Sequence, residues 1–457
     1  MILRGADALL APLRDALRDA PADEADIHVH RRRAAITRYS HSSIHQNALS
    51  DETQVRARAI VGKAVGIVQT NSLDPGDLRR ALADAAELAK KSRPDDGWPG
   101  VAEPEPDPAV ASASFDEATS RVDAAGQAAA IGAVCAAVPL GMRAAGTSQV
   151  EVTEDALANT RGVARYAPTT MAYLRALVLS DQYIGSGYAE DLSMRVDGLD
   201  PVGVAARAVE KCARDRDRTQ LAPGEYAAVF EELAVAEILR IMSITGLSGQ
   251  SVREGRSFMT GRIGERVTGE RFTLVDDPTD RHTIAPPFDV EGTPKRKVVL
   301  VDRGVAKSPV YDRASAKAVG ARSTGHAADP TRYAPGGHAG NLVMVGGEAT
   351  REQLVGSVEH GVLITRFHYT NTPDPRAATM TGKTRDGTFL IEDGRSTRAL
   401  ANVRYTMSAL DLFAGIELLG PQRLARDWWS SNGMGSIYCY VPPIAVSRAT
   451  ITGSSPL

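Results

Sequence analysis

Nine histidines, three cysteines and a few runs of mixed charge hold most of this chain's potential chemistry. His28 and His30 flank Val29 in a strand-like stretch, and their rings are expected on opposite faces. His41 and His45 stand four apart, but in a stretch that reads as strand and loop, where that spacing gathers nothing. His326, His338, His360 and His368 are dispersed and could meet only through folding. His326 in Ser-Thr-Gly-His and His338 in Gly-Gly-His read as backbone-bonding residues in tight glycine turns. There is no G-x-G-x-x-G fingerprint, no phosphate loop and no G-x-S-x-G elbow. Cys135, Cys212 and Cys439 are too widely spaced for a disulfide framework or a metal knuckle.

Residues 361–394 carry the densest polar pattern. A β-type run, 362–367, is followed by Pro373 and Pro375, which mark a loop because proline cannot donate to a ladder. Residues 381–387 read as tight polar backbone, and 388–391 return as a strand. The whole predicts a β-hairpin or arch with a long polar loop at its tip. Arg366 and His368 lie two apart and point the same way, and Thr381, Lys383 and Arg385 repeat that alternation. The set is either a solvated β face or the lining of a cleft that takes an extended peptide by strand addition. Asp302-Arg303, after the apolar run 298–301, reads as an internal ion pair at a strand end.

The elements that must position these residues follow from periodicity. Residues 2–19 form an amphipathic helix, and short strands follow from 27 to 50. Residues 55–60 and 64–70 make a hairpin about Gly62-Lys63. Asp74-Pro75 starts a helix to Lys91. The proline-rich stretch 93–108 is an exposed loop. A helix over 119–138 precedes strands at 164–166, 170–179 and 184–188, then a helix over 201–214. The RDRDR run, 214–218, reads as a solvated helix end. A break at 221–224 leads to a helix over 225–244, apolar on most sides. Beyond 276 the chain is β-rich, with short helical patches near 312–320, 350–360 and 406–419. The fold class is α+β: an N-terminal helix/sheet domain, 1–219, and a β-rich C-terminal domain, 220–457.

The 457-residue length suits two or three domains. A net charge of −3 and 5% aromatic residues give no basis for nucleic-acid binding. No apolar run approaches a membrane span, and the N-terminus lacks a signal-peptide layout, so a cytoplasmic location is expected.

Several ordered pieces, VDRGV (301–305), STGHA (323–327), YAPGGHAGNLVMVGG (333–347), GVLITRF (361–367) and TGKTRDGTFLIEDG (381–394), resemble the C-terminal domain of the TldD/PmbA metallopeptidase family. Residues 55–90 resemble its opening domain. Zinc enzymes of that family share a helical His-Glu-x-x-x-His motif, whose place here falls on Glu231-Glu232-Leu233-Ala234-Val235-Ala236. Glu231 and Ala236 stand where the two imidazoles would be, and Glu232 where the general base would be. Cys439 lies too close to Val441-Pro442-Pro443 to match the family's ligand cysteine. The resemblance therefore implies the PmbA or TldE type: no metal or catalytic residue in this chain, zinc on a TldD-type partner, and peptides as substrate. The alternative is a homo-oligomeric peptide-binding protein of the same fold without peptidase activity.

Overall fold

Long antiparallel strands, not short ones, build the first half of the molecule. The structure is a computed structural model that describes residues 3–106, 114–181, 184–329, 336–426 and 437–456. Pro108 and Tyr333, Ala334 and Pro335 of the segments quoted above lie outside the described residues. Helix α1 (Ala6–Arg18) leads into β1 (Glu24–Ser40) and β2 (Ser43–Val61). These run 17 and 19 residues, where short strands were expected. The charges that interrupt the apolar pattern do not end the strand, because partners flank them. Arg31 pairs with Glu154 at 2.6 Å, Arg32 with Glu151 at 2.6 Å and Arg33 with Asp51 at 3.0 Å.

The hairpin to β3 (Ala64–Thr70) forms as expected, with φ of 54° at Gly62 and 71° at Lys63. Helix α2 (Pro75–Lys91) also matches: the Asp74 carboxylate accepts from the backbone N–H of Gly76 and Asp77. Its buried face is Leu78, Leu82, Ala85, Ala86 and Ala89, with Ala81. The single helix expected at 119–138 is two, α3 (Glu117–Ser120) and α4 (Ala124–Ala136), because Asp123 caps a fresh start through the Gly126 N–H. Strand β4 (Met142–Asn159) has no counterpart among the expected strands, and β5 (Ala164–Ser180) runs unbroken through Pro168. Pro168 costs no ladder bond there, since β6 (Ser186–Ser193) pairs with β5 only along Ala172–Leu179. The sheet order is β3-β2-β1-β4-β5-β6, and α5 (Pro201–Arg214) packs on β5 and β6.

The RDRDR run is a solvated helix end only in part, exposed at Arg216 and Asp217. Asp215 is buried, accepts from the Ser186 N–H at 2.9 Å and pairs with Arg218 at 2.6 Å. Arg214 lies over the Phe389 ring at 4.3 Å and bonds Ser396, tying α5 to the second half.

There the expected helix over 225–244 divides into β7 (Gly224–Phe230) and α6 (Glu232–Gly246). Strand β7 enters a sheet, and only the part after Glu231 is helical. Helix α7 (Gly249–Arg253), strands β8 (Leu274–Asp276), β9 (Val298–Asp302) and β10 (Val305–Ala306), helix α8 (Arg313–Ala318), strand β11 (Asn341–Met344) and helix α9 (Arg351–Gly356) follow. Asp302 reaches Lys307 at 3.8 Å instead of its neighbour Arg303, which sits in a turn with φ of 43°.

Next come β12 (His360–Ile364), β13 (Phe367–Asp374), β14 (Thr379–Thr384), β15 (Thr388–Glu392), β16 (Arg395–Ala399) and β17 (Val403–Ser408). Helix α10 (Ala409–Ala414) and strands β18 (Ile416–Leu419), β19 (Arg423–Ala425), β20 (Tyr438–Val441) and β21 (Ile444–Ser454) complete the described chain. The expected hairpin exists as the β12–β15 pair, but its long loop is itself a second hairpin, β13–β14. Pro373 fits because β13 is an edge strand.

Two sheets result, β10-β9-β8-β11-β20-β19 and the larger β13-β14-β17-β21-β7-β12-β15-β16. Helix α6 is sunk between them in the main apolar core. The architecture is thus α+β, with a helix/sheet first half and a β-rich second half. Among the described residues no helix is long and apolar enough to cross a membrane.

Close packing of β3 on α2 gives opposed effects at two glycines. A Cβ on Gly66 would lie 1.9 Å from the Ala85 carbonyl oxygen, whereas one on Gly132 in α4 meets nothing within 4 Å. Gly66→Ala is expected to lower stability in a urea melt by about 1–3 kcal/mol. Gly132→Ala is expected to raise it by roughly 0.5–1 kcal/mol.

Candidate functional site

Helix α6 begins where the motif comparison points. Glu231 is its N-cap residue, and its carboxylate pairs with Lys211 Nζ at 2.6 Å and Arg351 Nη2 at 3.3 Å. Burial would raise the Glu231 pKa, but Lys211 and Arg351 outweigh it and hold the carboxyl below its ordinary range. Glu232 stands 4.0 Å from Arg423. Ala236 is fully buried in the core, and Cys439 packs directly on it, with Sγ 3.8 Å from the Ala236 carbonyl oxygen. Cys439, whose closeness to Val441-Pro442-Pro443 sets it apart from the family's ligand cysteine, is thus brought by folding to the α6 backbone. Among the described residues, no group of three or more His, Cys, Asp or Glu side chains is placed to hold a metal ion.

A cavity of about 540 Å³ opens where the first sheet meets the loops of the second half. Strand alternation supplies its floor. His28, His30, Arg32, Ile36 and Arg38 occupy every second place of β1 bar one, and β4 adds Gln149, Glu151, Thr153 and Asp155. Register then decides which groups meet: His30 lies opposite Asp155 on β4 and Gln54 on β2. Loop residues Ile284, Pro286, Val290 and Lys295 come from between β8 and β9. His326, His338, Asn341, Arg426 and Tyr438 close the other side.

The expectation of opposite faces for His28 and His30 fails, because residues two apart on a strand share a face. Asp155 Oδ1 lies 2.9 Å from His30 Nδ1 and 3.3 Å from His28 Nε2. Burial raises the Asp155 pKa, yet the two rings prevail and hold it well below the usual range. His28 is pushed down by its own burial, against the pull of Asp155. The second pair is His326 Nε2 with Asp276 Oδ1 at 2.9 Å, and the other ring nitrogen meets the Thr324 carbonyl at 2.9 Å. The backbone bonding expected of His326 is present, and the His338 N–H donates to the His326 carbonyl at 2.8 Å. Dispersed in sequence, these two histidines converge. Burial lowers His338 to about 4 and also depresses Lys295, whose Nζ lies 3.5 Å from Asn341 Oδ1.

Arg366, His368, Thr381 and Arg385 lie away from this cavity. Arg366 is buried, ion-paired with Asp386 and stacked over Tyr188 at 4.2 Å. His368 Nε2 meets Arg385 Nη1 at 3.0 Å; burial and the arginines lower its pKa to about 4. Thr381 donates to the Tyr405 carbonyl on β17. Three of the four thus cluster beside the β13 edge, with Thr381 on the next strand. The cavity itself escaped sequence reasoning, although the period-two polar pattern of β1 and β4 was a signal for it.

Residues 223–453 match the family model of the PmbA/TldA metallopeptidase C-terminal domain, and the chain belongs to this TldD/PmbA metallopeptidase family. It is 27% identical over 194 residues to a metalloprotease TldD homolog of Buchnera aphidicola, covering 42% of this chain and 38% of that protein. A metalloprotease PmbA homolog of Haemophilus influenzae is 25% identical over 142 residues, 31% of each chain. The match spans well under half the length of these curated relatives. Among solved structures, TldE from Thermococcus kodakarensis aligns with a TM-score of 0.85 at 22% identity, over 97% of this chain and 100% of that one. A putative modulator of a DNA gyrase from Thermotoga maritima aligns at 0.78 and 17% identity, over 94% and 96%. Both likenesses show a shared fold.

Two measurements check these electrostatics. Lys211→Met leaves the buried Glu231 carboxylate with Arg351 alone and is expected to cost about 3 kcal/mol in a urea melt. His338 titrates near 4 folded and about 6.5 unfolded, so the unfolded chain takes up its proton first as pH falls. Its contribution therefore drains away between those values at about 1.4 kcal/mol per pH unit. His338→Gln is expected to lose less stability than the parent between pH 6.5 and 4.

Proposed function

We propose that this chain is the non-zinc subunit of a TldD/PmbA-type metallopeptidase, acting beside a zinc-bearing TldD-type partner on short or unfolded peptides or peptide precursors. The observation that carries this reading is the surroundings of Glu231. Lys211 and Arg351 put two positive charges against the one carboxylate at the first ligand position, which opposes a dication there. Ala236 offers a methyl group at the second, and the Cys439 thiol alone remains as a soft donor. These residues do not fit a zinc ligand set, so no step of peptide hydrolysis is assigned to them. The similarity in fold to a TldE agrees with this role.

In this reading the chain is cytoplasmic, and its two domains, 1–219 and 220–457, shape a substrate cavity and hold the catalytic subunit in register. The β13–β14 edge, bearing His368, Thr381 and Arg385 with Arg366 behind it, faces the partner and offers a strand for an extended peptide.

Elemental analysis of the chain purified alone is expected to find no stoichiometric zinc, and chelator to change neither its fold nor any activity. Co-expression with a family member bearing His-Glu-x-x-x-His is expected to give a mixed, chelator-sensitive peptidase. One equivalent of zinc with peptide cleavage by this chain alone overturns the reading.

A further inference from the structure

Among the described residues, two donors of one buried cation in the cavity lack an acceptor. Arg426 is 4% exposed and lines the cavity, and its Nε and Nη2 have no hydrogen-bond partner. Its guanidinium stacks on the Tyr173 ring at 3.7 Å, which fixes its plane without satisfying its donors. A buried guanidinium stays charged and has five donors to satisfy, and leaving them unmet is costly. Of the carboxylates that act on Arg426, Glu190 accepts from the Tyr173 and Tyr188 hydroxyls, and none is hydrogen-bonded to its Nε or Nη2. Glu151 is held by Arg32 at 2.6 Å, and Asp155 by the His28 and His30 rings. Lys295 faces the same space with one long contact, 3.5 Å, to Asn341. Ile36, Met171, Ile284, Val290 and Tyr438 supply an apolar wall.

We infer that this cavity binds a carboxylate-terminated ligand with an aliphatic body, of about di- or tripeptide size, anchored by Arg426 with Lys295 in support. The arginine supplies a planar donor fork suited to a carboxylate. The apolar wall takes the ligand's side chains, and the volume lies within the roughly 300–1,000 Å³ of small-ligand sites. The lining comes from this chain alone, so the inference stands or falls without the metal-bearing partner.

Titration calorimetry on the purified full chain tests it with the tripeptide Leu-Ala-Leu as free acid and as C-terminal amide. The free acid is expected to bind, with the amide weaker by about tenfold or more. Arg426→Gln is expected to weaken the free acid by a similar factor while leaving the amide little changed, and Arg426→Lys to recover part of the loss. If Arg426→Gln does not fold, the acid–amide comparison on the parent protein decides, with Lys295→Met as second variant. Saturating 4-methylpentanoate, a free carboxylic acid, separates the two sources of the group. Binding as tight as the tripeptide's makes a small acid the occupant, and much weaker binding makes it a peptide C-terminus. Equal affinity for acid and amide, no binding of either, or indifference to Arg426→Gln overturns the inference.

Discussion

The structure depends above all on the long register of β1 between β2 and β4, which shifts only at a bulge against β2 between Arg38 and Tyr39. Both pairings run nearly the whole length of β1, so one strand carries two alternating sets of side chains across the molecule. One set, with Ile27 and Val29, buries itself in the core beneath α1 and α2. The other presents His28, His30 and Arg32 to the cavity. A slip of one residue would exchange the two sets. Cross-strand ion pairs such as Arg31–Glu154 resist that slip, and the same pairing delivers His30 to Asp155.

Much of the local structure was legible because it rests on short-range chemistry. The Gly62-Lys63 hairpin, the Asp74 cap with Pro75 behind it, and α5 over 201–214 need only a few neighbouring residues to specify them. What failed depended on partners distant in sequence. The arginines of β1 look like strand breakers until Glu151, Glu154 and Asp51 are beside them. Pro168 looks like an end until β5 is known to lack a second neighbour at that point. Residues 225–230 fit a helical pattern, but the parallel ladder to β12 makes them a strand. The 381–383 stretch, read as loop, pairs with β17.

The candidate site was less legible than the fold for the same reason. Its residues come from β1, β2, β4, β5, β11, β20 and the loops of the second half, from His28 to Tyr438. No local motif unites His30 with Arg426. Nor does spacing show that Cys439 meets the Ala236 carbonyl, because β20 carries it into the core from two hundred positions away. The two places differ in character. Around Glu231 the carboxylate is ion-paired directly, whereas in the cavity Arg426 feels Glu190 and Glu151 without a hydrogen bond to its Nε or Nη2 among the described residues.

The packing at Ala236 also limits which side chains that place can hold. Ala236 is fully buried, so an imidazole in place of its methyl would overfill the core, a change that costs stability before it offers any new contact. Glu231, meanwhile, could not be exchanged for a neutral ring without stranding Lys211 in the interior. Placing two histidines at these positions would therefore disturb both the packed core and a buried ion pair.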